Sequence, residues 1–162
     1  MKTILYSDVI RRDVNLPNVS ERAKIVDIAA EKEEKYWVSY GVIIETGFLD
    51  SKAKFYSNEL LEDLKNDGPV KMKSSDRKHK HRGEYRLSNI KGCKILTDDN
   101  KEVGRVYDFE MFIDRSPWII WKILANPIGL SPTKRRMKIG TKYVREYKDG
   151  KLYLKSGWNR RD

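Results

Sequence analysis

The sequence predicts a mainly β protein, folded as two tandem small β-barrels with short helical turns. Three observations lead to this fold class: the chain matches itself at an offset of 81 residues, apolar and charged residues alternate along the second half, and turn-forming residues recur at short intervals. Alternation with a period of two is typical of strands that bury one face. Short strands at regular spacing on a chain of 162 residues favour small barrels over a sandwich.

The internal repeat sets the domain organisation, because a missed repeat would misassign the whole fold. The matched stretches agree in order and in residue class, without a gap: 7–9 with 88–90, 24–28 with 105–109, and 37–38 with 118–119. Further on, the offset drifts by one or two residues, as loop insertions would cause. We therefore expect a first unit at residues 1–72, a basic linker at 73–84 and a second unit at 85–158.

A β-hairpin is predicted in the second unit. Residues 103–113 place Phe109 and Met111 on one face of a strand, with charged residues between several of the apolar ones. The next strand, residues 118–124, is rich in β-branched and aromatic side chains. The segment 114–117, which ends in Ser-Pro, is a turn signal and joins the two strands.

The first unit repeats this hairpin, with strands at residues 24–30 and 36–44 around the charged turn 31–35. A helical turn is predicted within residues 58–64, where apolar residues recur at i, i+1 and i+4 after a capping residue. Each unit ends in an Asp-Gly pair, with Gly150 in the second unit, and this pair is expected at a tight hairpin turn.

The net charge of +10 lies almost entirely in the second half. Residues 1–81 carry 15 Lys and Arg against 14 Asp and Glu, or +1, whereas residues 82–162 carry 19 against 10, or +9. Such a surface predicts acidic partners. No stretch approaches the roughly 18 consecutive apolar residues of a membrane-spanning helix, and the first apolar run is too short for a secretory signal. We expect a soluble, cytoplasmic protein without membrane insertion.

Residues that could support catalysis or metal binding are few. His79 and His81 lie in the linker, where no third ligand accompanies them and several cations would oppose a divalent ion. Residues 73–83 contain no aliphatic side chain, so this segment is expected to be mobile. Cys93 has no histidine partner outside that segment and suits a buried strand position. Glycine-rich phosphate-binding loops are absent. We expect no metal, no cofactor and no enzymatic activity.

One motif of the second unit resembles the PRC-barrel family, and it spans residues 102–108, Glu-Val-Gly-Arg-Val-Tyr-Asp. This family includes the cytoplasmic part of the photosynthetic reaction centre H subunit, the C-terminal domain of the ribosome maturation factor RimM and many small archaeal proteins. The resemblance implies a small barrel in which Gly104 forms a bend or bulge of the wall and Asp108 ties down a neighbouring turn. The first unit has Ala23 where Gly104 stands, and is therefore a diverged copy.

Asp27 and Asp108 occupy equivalent positions of the repeat. We expect a structural hydrogen-bonding role for each, within its own unit, rather than a converging pair of catalytic carboxylates.

Aromatic and basic residues of the second unit are the candidates for partner binding. Trp118 and Trp121 lie three apart on a strand and point to opposite faces, so one of them fills the barrel and the other is exposed or used in an interface. The alternative is that both belong to the core and its cover. The loop 126–133 is long and carries Ile128 and Leu130, and long loops are often functional. A basic cluster follows it, formed by Lys134, Arg135, Arg136 and Lys138.

Two functions follow as hypotheses. The first is a non-enzymatic adaptor or scaffold that presents the loop, the basic cluster and the aromatics to an acidic protein, while the nearly neutral first barrel serves self-association. Stand-alone archaeal members of the family resemble scaffold components, some of them associated with cell division. The second is an RNA- or ribosome-binding maturation factor, by similarity to the barrel of RimM. A solvated charged surface without a partner is the alternative to both.

Overall fold

The computed structural model describes residues 3–17, 21–47, 51–74, 83–129 and 136–159, and these residues form a mainly β fold with short helical turns. The first half contains β1 (Thr3–Leu5), α1 (Tyr6–Val9), β2 (Val14–Asn15), β3 (Ala23–Lys32), β4 (Trp37–Thr46), β5 (Lys52–Ser57), a 3-10 turn (Asn58–Leu60), β6 (Leu61–Glu62) and β7 (Val70–Met72). The second half contains β8 (Tyr85–Arg86), α2 (Leu87–Ile90), β9 (Lys94–Leu96), β10 (Glu102–Phe112), β11 (Trp118–Pro127), β12 (Met137–Gly140), a 3-10 turn (Thr141–Tyr143), β13 (Val144–Lys148) and β14 (Lys151–Leu154).

The mainly β fold class is confirmed, and the predicted hairpins are present as β3–β4 and β10–β11. Buried and more exposed positions alternate along parts of these strands, because successive side chains of a strand point to opposite sides. The helical turn predicted within residues 58–64 is a single 3-10 turn at Asn58–Leu60. Ser57 caps it by accepting a hydrogen bond from the Glu59 amide through its side chain.

Eleven of the described strands form one curled sheet, and the remaining three, β2, β7 and β6, form a smaller one. The two halves meet where β11 pairs antiparallel with β4. The central pair of this contact is Ile119 with Val38, and these two residues are also 81 apart in the chain. Residues at equivalent positions of the repeat therefore pair at the centre of the sheet. This is the arrangement expected where a local twofold axis relates the two halves.

The two halves exchange their first strands. Strand β1 of the first half pairs with β10 of the second, with Leu5 opposite Glu110. Strand β8 of the second half pairs with β3 of the first, with Arg86 opposite Ala29. Both pairs follow the offset of 81, so the exchange is reciprocal. The units predicted at residues 1–72 and 85–158 thus share one sheet. The alternation of apolar and polar residues along a strand does not show with which half that strand pairs.

A continuous core of buried apolar side chains runs through both halves. Trp37 and Trp118 lie in it at 1% and 3% exposure, at equivalent positions. A core on this scale stabilises mainly through the roughly 25 cal/mol gained for each Å² of apolar surface removed from water.

The two Asp-Gly pairs differ in their surroundings. Asp149 and Gly150 form the tight turn between β13 and β14, and both have left-handed backbone angles. In the first half, the connection between β6 and β7 runs over residues 63–69 instead. Arg12 holds this longer loop, since its guanidinium donates hydrogen bonds to the carbonyls of Leu64, Asn66 and Gly68.

Arg11 occupies a strained backbone position. Its φ is +70°, and its repeat equivalent Gly92 has a φ of +90°. The Arg11 amide donates to the Ile25 carbonyl, and the Gly92 amide donates to the equivalent carbonyl of Val106. The same turn is therefore built in both halves, and only the second half uses the residue that adopts it without a steric cost.

Replacement of Arg11 with Gly is expected to raise the free energy of unfolding by about 0.5 to 1 kcal/mol, because relief of left-handed strain exceeds the extra entropy of glycine in the unfolded chain. Urea denaturation measures this change. The reverse substitution Gly92→Arg should lower stability, and a destabilised Arg11→Gly variant would contradict the assignment of strain.

Candidate interaction surface

The two tryptophans predicted on β11 face opposite sides of the sheet. Trp118 lies in the core at 3% exposure, and Trp121 is half-buried on the face turned away from that core. Residues three apart on a strand are expected to separate in this way. Trp118 therefore belongs to the core, and Trp121 is the more accessible of the two.

The loop and basic cluster predicted for binding are described in part. Ile128 is exposed at 46%, and Arg136 lies over the Tyr107 ring at 4.3 Å from its centroid. Lys138 is exposed and forms an ion pair with Glu110 at 3.5 Å. Leu130, Lys134 and Arg135 lie outside the described residues, as do His79, His81 and most of the predicted linker.

Two of the predicted binding residues that the structure describes lie at different ends of one strand. Trp121 lies near the start of β11, and Ile128 follows the end of that strand. Seven residues of extended chain separate them by roughly 20 Å, at about 3.3 Å per residue. Lys138 lies between these ends, since β12 pairs it with Leu124.

A groove of about 380 Å³ opens beside Trp121. Its floor is apolar and aromatic, and three lysines from different elements surround it. The groove, hereafter the Trp121 groove, is lined by Tyr36, Phe112, Ile119, Trp121, Lys35, Lys122, Gly140 and Lys142.

Side chains within the Trp121 groove contact one another closely. The Phe112 and Trp121 rings lie 5.2 Å apart at 39°, a tilted aromatic contact. The Lys122 ammonium lies over the Trp121 ring at 4.7 Å, and that of Lys142 lies over the Tyr143 ring at 4.9 Å. These cation–π contacts orient two of the three lysines.

Both halves of the chain contribute to the Trp121 groove. Phe112 and Ile119 are cross-strand neighbours on β10 and β11. Tyr36, which is 41% exposed, comes from the hairpin turn between β3 and β4 of the first half. The pairing of β4 with β11 brings this turn beside Trp121, so the groove depends on the contact between the two halves.

The first half has no matching basic groove at the equivalent positions. There, Phe112 is replaced by Glu31, Trp121 by Tyr40 and Lys122 by Gly41. Gly41 is required in its place, because a Cβ on it would lie 2.2 Å from the Phe55 ring. Phe55 packs there with 4% exposure, so a large apolar side chain of the protein itself covers this part of the first half.

Asp27 and Asp108 each bind the helical turn of the opposite half. Asp108 accepts hydrogen bonds from the Ser7 amide at 3.1 Å, the Ser7 hydroxyl at 2.5 Å and the Phe109 amide at 2.8 Å. Asp27 accepts hydrogen bonds from the amide and hydroxyl of Ser88, and from the Ile28 amide at 2.8 Å.

These two carboxylates are buried, at 8% exposure for Asp27 and 5% for Asp108. Tyr6 also donates to Asp27, and burial together with this negative charge raises the pKa of the Tyr6 hydroxyl. The carboxylates thus serve to hold the strand-exchanged halves together. Within its own unit, Asp108 accepts from the Phe109 amide, and Asp27 accepts from the Ile28 amide and the Tyr6 hydroxyl.

Gly104 lies at an irregularity of the sheet. The pairing of β9 with β10 shifts register between Glu102 and Gly104, which is the geometry of a bulge. A Cβ at position 104 would lie 2.4 Å from the Asn126 carbonyl oxygen on β11. Close approach of two strands explains the glycine of the motif.

Cys93 is buried, and its burial raises the pKa of the thiol to about 11. The thiol is therefore protonated at neutral pH and a poor nucleophile. No group of three or more His, Cys, Asp or Glu side chains that could hold a metal ion occurs within the described ranges. In the same part of the chain, no helix is long and apolar enough to cross a membrane.

Several residues of the Trp121 groove were not predicted from the sequence. Tyr36, Lys35 and Lys142 belong to turns that are far from Trp121 in the chain. Phe112 and Ile119 could have been predicted as neighbours of Trp121, because they lie on either side of the predicted turn at 114–117. The alternation of their strands places both on the outward face, as it does Trp121.

The comparisons with known proteins agree with the motif around Gly104. A family model described as PRC-barrel domain matches residues 82–115, a stretch that contains α2, β9, β10 and the turn after it. No curated protein matches the chain. The resemblance drawn from residues 102–108 is confirmed: residues 82–115 match the PRC-barrel domain family.

Proposed function

We propose that this protein is a non-enzymatic, cytoplasmic adaptor, and that its basic second half binds an acidic protein partner. The Trp121 groove is the observation that carries this proposal, because it combines an aromatic floor with three lysines on a face turned away from the core. Aromatic residues are typical anchors of protein interfaces. PRC-barrel domains often serve as protein- or RNA-interaction modules, which supports a binding role.

The distribution of charge supports an acidic partner. The second half carries +9 and the first half +1. Long-range attraction would steer a negative partner toward the second half before contact. The resemblance to stand-alone archaeal PRC-barrel proteins supports an assembly such as a cell-division complex as the setting. The first half is then a divergent copy of the same unit, retained for its strand exchange with the second.

An RNA- or ribosome-binding maturation factor is the second candidate. Cations lie over aromatic rings at several places in the second half, among them Arg136 over Tyr107 and Arg145 over Tyr153. Single-stranded nucleic acids bind to such mixtures of aromatic rings and positive charge. The Trp121 groove favours a protein, because its apolar floor suits one buried side chain and its lysines suit the neighbouring carboxylates of an acidic chain.

Reversal of three charges tests the adaptor proposal. The variant carries Lys35→Glu, Lys122→Glu and Lys142→Glu, and its affinity for fluorescent poly-L-glutamate is measured by anisotropy. We expect a loss of at least about tenfold, since three favourable contacts become repulsive. A matched control reverses Lys52, Lys71 and Lys101, which are exposed and do not line the groove.

The same titration with ribosomal RNA, at about 150 mM salt, separates the two candidates. Saturable RNA binding that falls steeply with salt would favour the maturation factor. An equal loss of poly-L-glutamate affinity in both triple variants would contradict the adaptor proposal, because a diffuse charge effect would then suffice.

A further inference from the structure

We infer that the Trp121 groove binds one large apolar side chain of an extended acidic segment of the partner. This inference rests on the proposed function and specifies the chemistry of the partner. The apolar side chain enters between Tyr36, Phe112 and Trp121, and carboxylates on either side of it contact the lysines.

The size of the groove supports a single anchor residue. Its volume of about 380 Å³ lies at the lower end of the roughly 300 to 1,000 Å³ of ligand pockets. An amphipathic helix would need a longer trough for several anchors at i, i+3, i+4 and i+7. One aromatic or large aliphatic residue with its neighbouring backbone fits the space better.

The surroundings of the groove support negative charge beside the anchor. Lys35, Lys122 and Lys142 come from three different elements and lie around the same apolar floor. Glu110 is the cross-strand neighbour of Lys122, and its carboxylate is offset by the ion pair with Lys138. Among the residues that the structure describes, the lining of the groove itself contains these three lysines and no carboxylate.

The contrast with the first half supports binding of a foreign side chain. There, Phe55 packs against Gly41, at the repeat position of Lys122. By the same alignment of strands, Lys138 stands in the second half where Phe55 stands in the first. The second half thus lacks the aromatic side chain that covers this face in the first half.

Two synthetic nine-residue peptides test the inference on the full-length protein. Both alternate Glu and Ser; one has Phe at its centre and the other has Ser. Affinities are measured by fluorescence anisotropy. We expect the Phe peptide to bind at least about tenfold more tightly, as burial of one large apolar side chain allows.

Variants locate the binding. Tyr36 is exposed, so Tyr36→Ser should leave the fold intact. The variant should bind the Phe peptide at least about fivefold more weakly and the Ser peptide with unchanged affinity, because only the contact with the anchor side chain is lost. Ile128→Ser is the matched control, since Ile128 is similarly exposed and lies outside the groove. Circular dichroism verifies that both variants are folded.

The outcomes separate this inference from the proposed function. If the two peptides bind with equal affinity, and charge reversal of Lys35, Lys122 and Lys142 abolishes the binding of both, the apolar anchor is contradicted. The proposal of an acidic partner is then still supported. Equal weakening by Tyr36→Ser and Ile128→Ser would also overturn the anchor. Failure of both peptides and of poly-L-glutamate to bind would overturn the two proposals together, and competition by ribosomal RNA would assign the groove to nucleic acid.

Discussion

Replacement of Asp108 with Asn is expected to lower the free energy of unfolding by about 2 kcal/mol, because a buried charged acceptor is lost and its hydrogen bonds become bonds between neutral groups. The carboxylate accepts three hydrogen bonds, two of them from Ser7 of the other half. Asn has nearly the same shape, so no cavity forms; its oxygen can accept from the two amides, but the Ser7 hydroxyl must then accept from the NH2 group instead of donating to a carboxylate. Urea denaturation followed by circular dichroism measures the loss.

A double-mutant cycle tests the exchange of strands directly. Asp108→Asn should couple with Ser7→Ala by about 1 to 2 kcal/mol, since residues in one hydrogen-bond network are not additive. It should not couple with Ser88→Ala, because Ser88 binds Asp27 instead. Asp8→Asn is the control at an exposed position and should change stability by less than about 0.5 kcal/mol. Coupling of Asp108 to Ser88 would contradict the exchange.

Replacement of Gly104 with Ala is expected to cost about 2 to 3 kcal/mol, at the upper end of the range for overpacked sites. The added Cβ would lie 2.4 Å from the Asn126 carbonyl oxygen and 3.1 Å from Met137 Cε. The first of these atoms belongs to the backbone, so β10 and β11 must move apart to relieve the contact. Thermal and urea denaturation both report the loss.

The repeat supplies the matched control for Gly104. Ala23 stands at the equivalent position and is buried at 3% exposure. In the first half, a single bridge between Asp13 and Lys24 joins β2 to β3, in place of the longer pairing of β9 with β10. Ala23→Gly should cost about 1 to 2 kcal/mol, through backbone entropy and the loss of one buried methyl group. A loss for Gly104→Ala below that of the control would mean that the bulge accommodates a methyl group.

Local patterns predicted the strands well and the short turns poorly. The strands expected at residues 103–113 and 118–124 are present as Glu102–Phe112 and Trp118–Pro127. The second extends further because Ala125 pairs with both Val106 and Met137, so tertiary pairing overrides its modest strand propensity. The four-residue helices α1 and α2 were missed, since one helical turn is too short to show a period of 3.6 residues.

The candidate binding surface was predicted only in part. The spacing of Trp118 and Trp121 predicted that one of them would lie on an exposed face, without indicating which; Trp121 is the half-buried one of the two. The partners that make it a groove come from other turns: Tyr36 lies 85 positions earlier and Lys142 lies 21 positions later. Which distant turn lies beside a given strand is not encoded in the alternation of that strand.

By itself, the sequence determined the repeat, the β class, the faces of the main strands, the concentration of charge in the second half and the resemblance to PRC barrels. These properties depend on composition and on residue order along the chain, and not on which strands pair. Only the tertiary structure decided that the first strand of each half pairs with the other half, and which side chains meet at Trp121. Ser7 and Asp108 are 101 residues apart, and an exchanged and an unexchanged arrangement would have the same local pattern. The packing of the two halves selects the exchanged arrangement, because it places Ser7 beside Asp108 and Ser88 beside Asp27.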